Sequence, residues 1–288
     1  LTARQTIDQF RIKQRPNYVP QNDEEVVFRV AFESKIPLIL KGPTGCGKTR
    51  FIEYMAYKLG LPLVTVSCHE DLTAADLVGR FLFKDNETVW QDGPLTLAVR
   101  HGGICYLDEI VEARKDTTVI IHSLTDDRRI LYIDKTGEVV RADESFMMVL
   151  SYNPGYQSIV KDLKQSTKQR FASLNFGHPP VEVEARIIRT ESGLAEEDSR
   201  KLAEMGSKIR QLKGFGLDEG VSSRLLVYVG RLVKGGLSPI QATRHAIGQT
   251  LTDEPELLES IQSIAKLYFG DLMEESSGEP GRPQAGSA

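Results

Sequence analysis

The chain has 288 residues, 40% hydrophobic and 26% charged, the proportions of a globular protein of one large domain or two smaller ones. A formal net charge of −4 and a pI near 5.8 give no global positive field toward nucleic acid or anionic lipid, which leaves only a local basic strip inside an oligomer as a route to either. No apolar run reaches the roughly 18 residues of a membrane helix, and Leu1–Gln14 lacks the apolar stretch of a secretory signal.

Residues 1–35 read as a lead-in. A helix is expected over Asn22–Phe32, with Asn22 as its cap and Val26, Val27 and Val30 as its apolar face. From residue 36 to 176, short apolar runs alternate with helical patterns: Pro37–Leu40, Leu63–Val66, Ile104–Leu107, Phe146–Ser151 and Ala172–Phe176. Five buried strands separated by helices imply an α/β domain with a parallel sheet covered on both faces.

Between the first of these strands and its helix lies Gly42-Pro43-Thr44-Gly45-Cys46-Gly47-Lys48-Thr49, a complete G-x-x-x-x-G-K-[ST] loop. The helix that follows repeats Ile52, Met55, Ala56 and Leu59 on one face. Strand, glycine loop and helix is the context in which this motif binds a nucleoside triphosphate, through converging backbone N–H groups and a helix N-terminus. Lys48 is expected to reach the β/γ-phosphates of ATP and Thr49 to ligate Mg²⁺. Cys46 reads as a small residue at a variable loop position, with a thiolate activated by Lys48 and the helix dipole as the alternative. Together with Cys68 and Cys105 it makes three cysteines without C-x-x-C spacing, the usage of free thiols in a reducing cytoplasm.

Two segments break the alternation. Phe81–Phe83 and Thr88–Trp90 flank Lys84-Asp85-Asn86-Glu87, and Ile130–Ile133 and Glu138–Arg141 flank Asp134-Lys135-Thr136-Gly137. Both read as β-hairpins, either contact surfaces or plain surface ornaments. Trp90 is an anchor toward a partner or packing for the hairpin base.

The third strand ends Ile104-Cys105-Tyr106-Leu107-Asp108-Glu109, a Walker B pattern that puts two acids at a strand's carboxyl end, beside the crevice of an open α/β sheet. Asp108 is expected to orient the Mg²⁺ shell and Glu109 to accept a proton from the attacking water. Asn153, after Val149-Leu150-Ser151-Tyr152, either positions that water and reads the γ-phosphate or is a turn residue before Pro154. His69, His101, His122, His178 and His245 show no ligand spacing.

Pro179-Pro180 closes the strand region. Helices are then expected over Val181–Glu191, Glu196–Leu212, Ser222–Lys234, Pro239–Leu251 and Glu256–Phe269, the last with Leu257, Ile261, Ile264, Ala265 and Tyr268 on one face. The expected layout is thus a nucleotide-binding domain at 1–180, a small all-α domain at 181–270 and a disordered tail at 271–288.

This set resembles an AAA+ ATPase over roughly residues 20–270. The hairpins match insertions of the MoxR branch. Gly79-Arg80-Phe81, Glu87-Thr88-Val89-Trp90-Gln91-Asp92-Gly93-Pro94-Leu95, Tyr106-Leu107-Asp108-Glu109 and Ser151-Tyr152-Asn153-Pro154-Gly155-Tyr156-Gln157 look like the CbbQ/NirQ/NorQ subfamily, and overall similarity leans toward its CbbQ members. The resemblance implies that Asn153 is sensor 1, that Arg170 in Lys168-Gln169-Arg170-Phe171 is an arginine finger acting on a neighbouring subunit, and that Arg224 in Val221-Ser222-Ser223-Arg224 is sensor 2 of the helical lid. By residue type alone, both arginines also fit a solvated helix end. The resemblance further implies a hexameric ring, a partner with a von Willebrand factor A domain, and a client that is Rubisco carrying inhibitory sugar phosphates or, in NirQ and NorQ, a nitric oxide reductase. A nucleotide-switched scaffold is the alternative from another class. A nucleic-acid motor is disfavoured by the acidic balance and the lack of a basic-aromatic strip.

Overall fold

The structure is a computed structural model that describes residues 7–84, 86–154, 163–214, 216–217 and 219–270. The expected tail at 271–288 and Gly155, Tyr156 and Gln157 of the strand-tip motif lie outside those residues. Contacts divide the chain into two compact units, Leu1–His178 and Pro179–Ala288.

The first unit is built on five parallel strands in the order β2-β5-β8-β1-β9, that is Leu63–Ser67, Gly103–Asp108, Phe146–Tyr152, Leu38–Lys41 and Ala172–Asn175. Alternation along each strand sends successive side chains to opposite faces. Leu38, Leu40, Ile104, Tyr106, Met147 and Val149 therefore pack with Phe28, Phe51 and Ile52 from the helices Glu24–Glu33 and Lys48–Leu59. Ile39, Cys105, Leu107, Met148 and Leu150 pack on the other side with Leu95, Ala98 and Val99 from the helix Pro94–His101. The two outer strands are less covered than five buried strands implies. Thr65 and Ser67 of β2 and Ser173 and Asn175 of β9 are exposed, because an edge strand has a neighbour on one side only.

Both hairpins form, as β3–β4 (Gly79–Lys84 with Glu87–Asp92) and β6–β7 (Ile130–Ile133 with Glu138–Arg141). Trp90 packs the base of the first. Its indole lies edge-on to Phe81 at 5.1 Å, its Nε1 donates to Asp92 Oδ1 at 2.8 Å, and a Cβ on Gly79 would meet its ring at 2.6 Å. Phe81, Leu82, Phe83 and Val89 remain exposed along that hairpin.

The lead-in helix corrects the sequence reading. It runs Glu24–Glu33, and neither Asn22 nor the N-cap Asp23 caps it by side chain. Instead the Glu24 carboxylate accepts from Gln21 N and Asn22 N, both at 2.8 Å, and from the Tyr18 hydroxyl at 2.6 Å. With Glu24 turned inward, Phe28 and Ala31 follow it one and two turns later, while Val26 and Val30 are 53% and 50% exposed. Val27 packs against the core as expected, but helical spacing puts the neighbouring Phe28 on the side opposite Val26 and Val30.

The second unit is helical: Val181–Ser192, Glu196–Arg210, Ser223–Lys234, Pro239–Thr243, Gln249–Leu251 and Pro255–Phe269 among the described residues. Ser222 caps its helix through Leu225 N, as the Ser at that position favours. The single helix expected over Pro239–Leu251 is interrupted by a π-turn at Arg244–Gly248. That wide turn seats Gly248 against Leu258, where an added Cβ would approach to 2.5 Å.

One buried ion pair crosses the core of this unit. Glu184, fully buried, accepts from Arg210 Nη1 and Nη2 at 2.8 and 2.6 Å and from the Ser223 hydroxyl, and Arg210 Nε donates to Val221 O at 2.8 Å. Removing one partner leaves the other charge buried without compensation, so Glu184→Ala is expected to destabilise the helical unit by about 3–5 kcal/mol. Urea unfolding followed by circular dichroism checks this, and an unchanged midpoint would show that Arg210 reaches water or another acceptor.

Candidate active site

The phosphate loop lies between β1 and the helix Lys48–Leu59, with Gly45 and Gly47 at φ 68° and 102°, a backbone that glycine adopts readily. Gly47 is the N-cap and provides no side-chain bond, and no acid occupies the first turn. The free N–H groups and the positive end of that helix therefore face the loop, an arrangement suited to an anion. Gly42 is seated against Phe176, the residue just after the last strand, whose carbonyl would lie 2.4 Å from an added Cβ. Thr44 is exposed and Pro43 half-buried. Cys46 is buried, and burial pushes its thiol up against the pull of Lys48, so the reactive-thiolate alternative is not supported.

Lys48 is buried, and its ammonium donates to Gly42 O at 2.7 Å, Pro43 O at 2.9 Å and Asn153 Oδ1 at 2.6 Å. The Asn153 amide in turn donates to Thr44 Oγ1 at 2.9 Å and Glu109 Oε1 at 3.0 Å. One asparagine thus joins the loop lysine to the second acid of β5. The structure brings Lys48, Thr44, Asn153 and Glu109 into one network, although 105 residues separate Lys48 from Asn153. Asn153 is not a solvated turn residue: it is buried and bonded on both sides of its amide.

Glu109 follows β5 at φ 54° and ψ 46°, a left-handed backbone for a residue with a side chain. Its N–H donates to Ser151 Oγ at 3.3 Å, which anchors that turn to β8. Burial pushes its carboxyl above the usual glutamate range, against the Lys48 ammonium, and Asp108 adds to the rise. Asp108 accepts at Oδ1 from Tyr106 Oη at 2.8 Å and also from Ser151 Oγ. Thr49 Oγ1 lies 3.4 Å from the same Tyr106 hydroxyl.

Thr49 and Asp108 thus share one corner of the site. Their hydroxyl and carboxylate are hard oxygen donors, the set that suits magnesium, which keeps waters and takes its other ligands from substrate phosphates. Among the described residues no group of three or more His, Cys, Asp and Glu side chains forms a separate metal site.

Arg170 lies elsewhere on the first unit. Its Nη1 donates to His122 O at 3.3 Å and stands 3.7 Å from Asp126 Oδ2, while His122 Nε2 meets Thr167 Oγ1 at 2.9 Å. Arg224 is exposed in the first turn of the helix Ser223–Lys234, in the second unit. Arg170 makes no described contact with the phosphate loop.

Comparison with known proteins fits this geometry. A model described as AAA domain (dynein-related subfamily) matches residues 37–171, and one described as CbbQ/NirQ/NorQ C-terminal matches residues 184–268. Protein CbbQ of Hydrogenophilus thermoluteolus is 55% identical over 262 residues, covering 91% of this chain and 98% of that protein. The chain belongs to the CbbQ/NirQ/NorQ family of AAA+ ATPases. Protein NorQ of Paracoccus denitrificans is 54% identical over 88% of this chain and 94% of its own length. The denitrification regulatory protein NirQ of Pseudomonas aeruginosa is 52% identical over 88% and 97%. Among solved structures, the RuvB Holliday junction branch migration motor of Thermotoga maritima shares the fold, with a TM-score of 0.52 at 13% identity over 88% of this chain and 72% of its own. As a member of this family the chain is an ATPase and binds nucleotide.

Tyr106, Ser151, His122 and Asp126 escaped the sequence reading. Two of them left a trace there: a hydroxyl two residues before Asp108 in an apolar strand, and a serine in the otherwise apolar β8, both on strands that run to the loop. The half-buried position of Glu109 predicts that its carboxyl titrates above the ordinary glutamate range in the nucleotide-free chain. The Asn153 amide opposes that rise, so Asn153→Ala should move the titration to still higher pH. Carbon-13 NMR of labelled glutamate reads both, and an identical midpoint in the two proteins would refute the coupling.

Proposed function

We propose that this chain is the ATPase subunit of a hexameric ring that hydrolyses magnesium–ATP and transmits the resulting movement to a client protein. The observation that carries the proposal is the Lys48–Asn153–Glu109 network, which couples the phosphate-binding lysine to a carboxylate placed to act on water. Backbone N–H groups of Thr44–Thr49, within the Gly42–Thr49 loop, and the Lys48 ammonium bind the phosphates. Thr49 and Asp108 would hold magnesium, Asp108 through water, and that ion would neutralise charge on the phosphate oxygens. Glu109 takes the proton of the attacking water, and Asn153 orients that water.

Arg170 supports the ring. Its side chain is 35% exposed and its acidic partner stands off at 3.7 Å, so the guanidinium is available to a neighbour's γ-phosphate, as an arginine finger acting in trans requires. Arg224 is assigned to the lid sensor that follows nucleotide state. The two exposed hairpins are the elements that would pass movement on.

The partner is assigned as a von Willebrand factor A-domain adaptor and the client as Rubisco, from which inhibitory sugar phosphates are released in the cytoplasm. The support is the 55% identity to a CbbQ protein. Relatives named NorQ and NirQ, at 54% and 52%, support a second reading, activation of a nitric oxide reductase. A nucleotide-switched scaffold accords less well with an intact Glu109–Asn153 pair.

Three outcomes are expected. Glu109→Gln should keep nucleotide affinity within about twofold yet lose about 100-fold or more in turnover, as loss of a general base does. Arg170→Ala should likewise leave binding intact and remove most turnover, with activity returning when it is mixed with Glu109→Gln subunits that contribute the finger. An equal loss of ATP affinity in Arg170→Ala would place that residue in the fold or the ground state. Finally, the ATPase with its adaptor should reactivate sugar-phosphate-inhibited Rubisco. Inactivity there, with activation of a nitric oxide reductase instead, would move the client to the second reading.

A further inference from the structure

We infer that Tyr106 is a positioning residue for the magnesium corner of this site, orienting both Thr49 and Asp108 through one hydroxyl; the inference rests on the magnesium–ATP reading above. Tyr106 is fully buried and its ring belongs to the core under the helices Lys48–Leu59 and Glu24–Glu33. A phenylalanine would fill that volume equally well. A buried phenol hydroxyl costs free energy unless it is hydrogen-bonded, so its partners indicate what the hydroxyl is for. Two of its partners are magnesium-side groups, Asp108 Oδ1 at 2.8 Å and Thr49 Oγ1 at 3.4 Å, and the third, the Ser151 hydroxyl, is itself bonded to Asp108.

The proton order follows from the chemistry of the three groups. Asp108 as a carboxylate only accepts, so the single Tyr106 proton goes to it. The Tyr106 oxygen is then an acceptor, and the Thr49 hydroxyl donates to it. That orientation turns the Thr49 lone pairs away from Tyr106, toward the loop, where a cation needs an oxygen rather than a proton. At the other end, Tyr106 and Ser151 both bond Asp108 at Oδ1, and among the described residues no donor is assigned to Oδ2. Oδ2 is the atom left to accept from a water of the metal shell. One hydroxyl therefore fixes the polarity of two groups that come from different elements, the first turn of a helix and the end of β5.

Strand alternation explains why this position can do so. Ile104, Tyr106 and Asp108 share a face of β5, the face on which the helix Lys48–Leu59 packs. The phenol ring spans from the core to the level of the loop, a reach that serine or threonine at 106 would lack.

The test is Tyr106→Phe, which removes one oxygen and keeps the ring. Affinity for a fluorescent ADP analogue is measured with magnesium and with a chelator, and magnesium is titrated at fixed nucleotide. Without magnesium, the variant and the natural protein should bind within about twofold of each other. With it, the variant should gain about tenfold less and need about tenfold more magnesium for half saturation, the scale on which outer-shell partners act. A purely structural role would weaken both arms alike, and the ratio of the two arms within one protein cancels any loss of folded material. Superimposed magnesium titrations would overturn the inference. If the natural protein itself showed no magnesium effect on nucleotide binding, the magnesium reading of the site would fall, and the role of Tyr106 with it.

Discussion

The site is organised around one buried cation whose three protons are all given to neutral acceptors. Lys48 bonds two carbonyls of its own loop and the Asn153 amide, not a carboxylate. Each bond satisfies a donor, but none cancels the charge. A polyphosphate entering the loop therefore meets a positive charge that the protein has solvated without neutralising, and exchange of a neutral acceptor for an anionic one is favourable in a desolvated place. Where the acceptor exchanged is Asn153, the change is felt at Glu109, on the other side of the same amide. Ligand capture and control of the acid are thus one electrostatic arrangement.

The sheet makes that arrangement possible. Parallel strands in the order β2-β5-β8-β1-β9 bring the carboxyl ends of β1, β5 and β8 side by side, so residues far apart in the chain emerge at one edge. The loop leaves β1, the two acids leave β5, and Asn153 leaves β8. The apolar alternation that covers the two faces of the sheet also fixes which side chains point toward the phosphate-binding helix.

Much of this was legible in the residues. The loop motif, the paired acids and the apolar runs identify strand ends, because each motif needs a strand before it. Both hairpins could be placed from turn residues between β-rich segments. The lead-in helix misled because Val26, Val27 and Val30 signal hydrophobicity, whereas its rotation is set by a polar event, the Glu24 carboxylate holding the chain ahead of it. The π-turn at Arg244–Gly248 ends where Gly248 meets Leu258, a contact between helices that no local pattern encodes. Tyr106 hid for a related reason: in a core strand an aromatic residue reads as filling, and only the position of its hydroxyl distinguishes it. The surroundings of Arg170 were equally invisible, since His122 and Asp126 reach it across more than forty residues.

The left-handed turn at Glu109 has a consequence for how far this protein can be stabilised. An L-residue in that conformation holds about 1–2 kcal/mol of backbone strain, which glycine would release. β-Branched residues would suffer more from the same backbone, so selection for robustness alone would drift position 109 toward glycine and away from the long carboxylate. The fold thus contains a standing conflict at a single residue, between its backbone and the carboxylate that bonds Asn153. Glutamate there carries a stability cost that glycine would not.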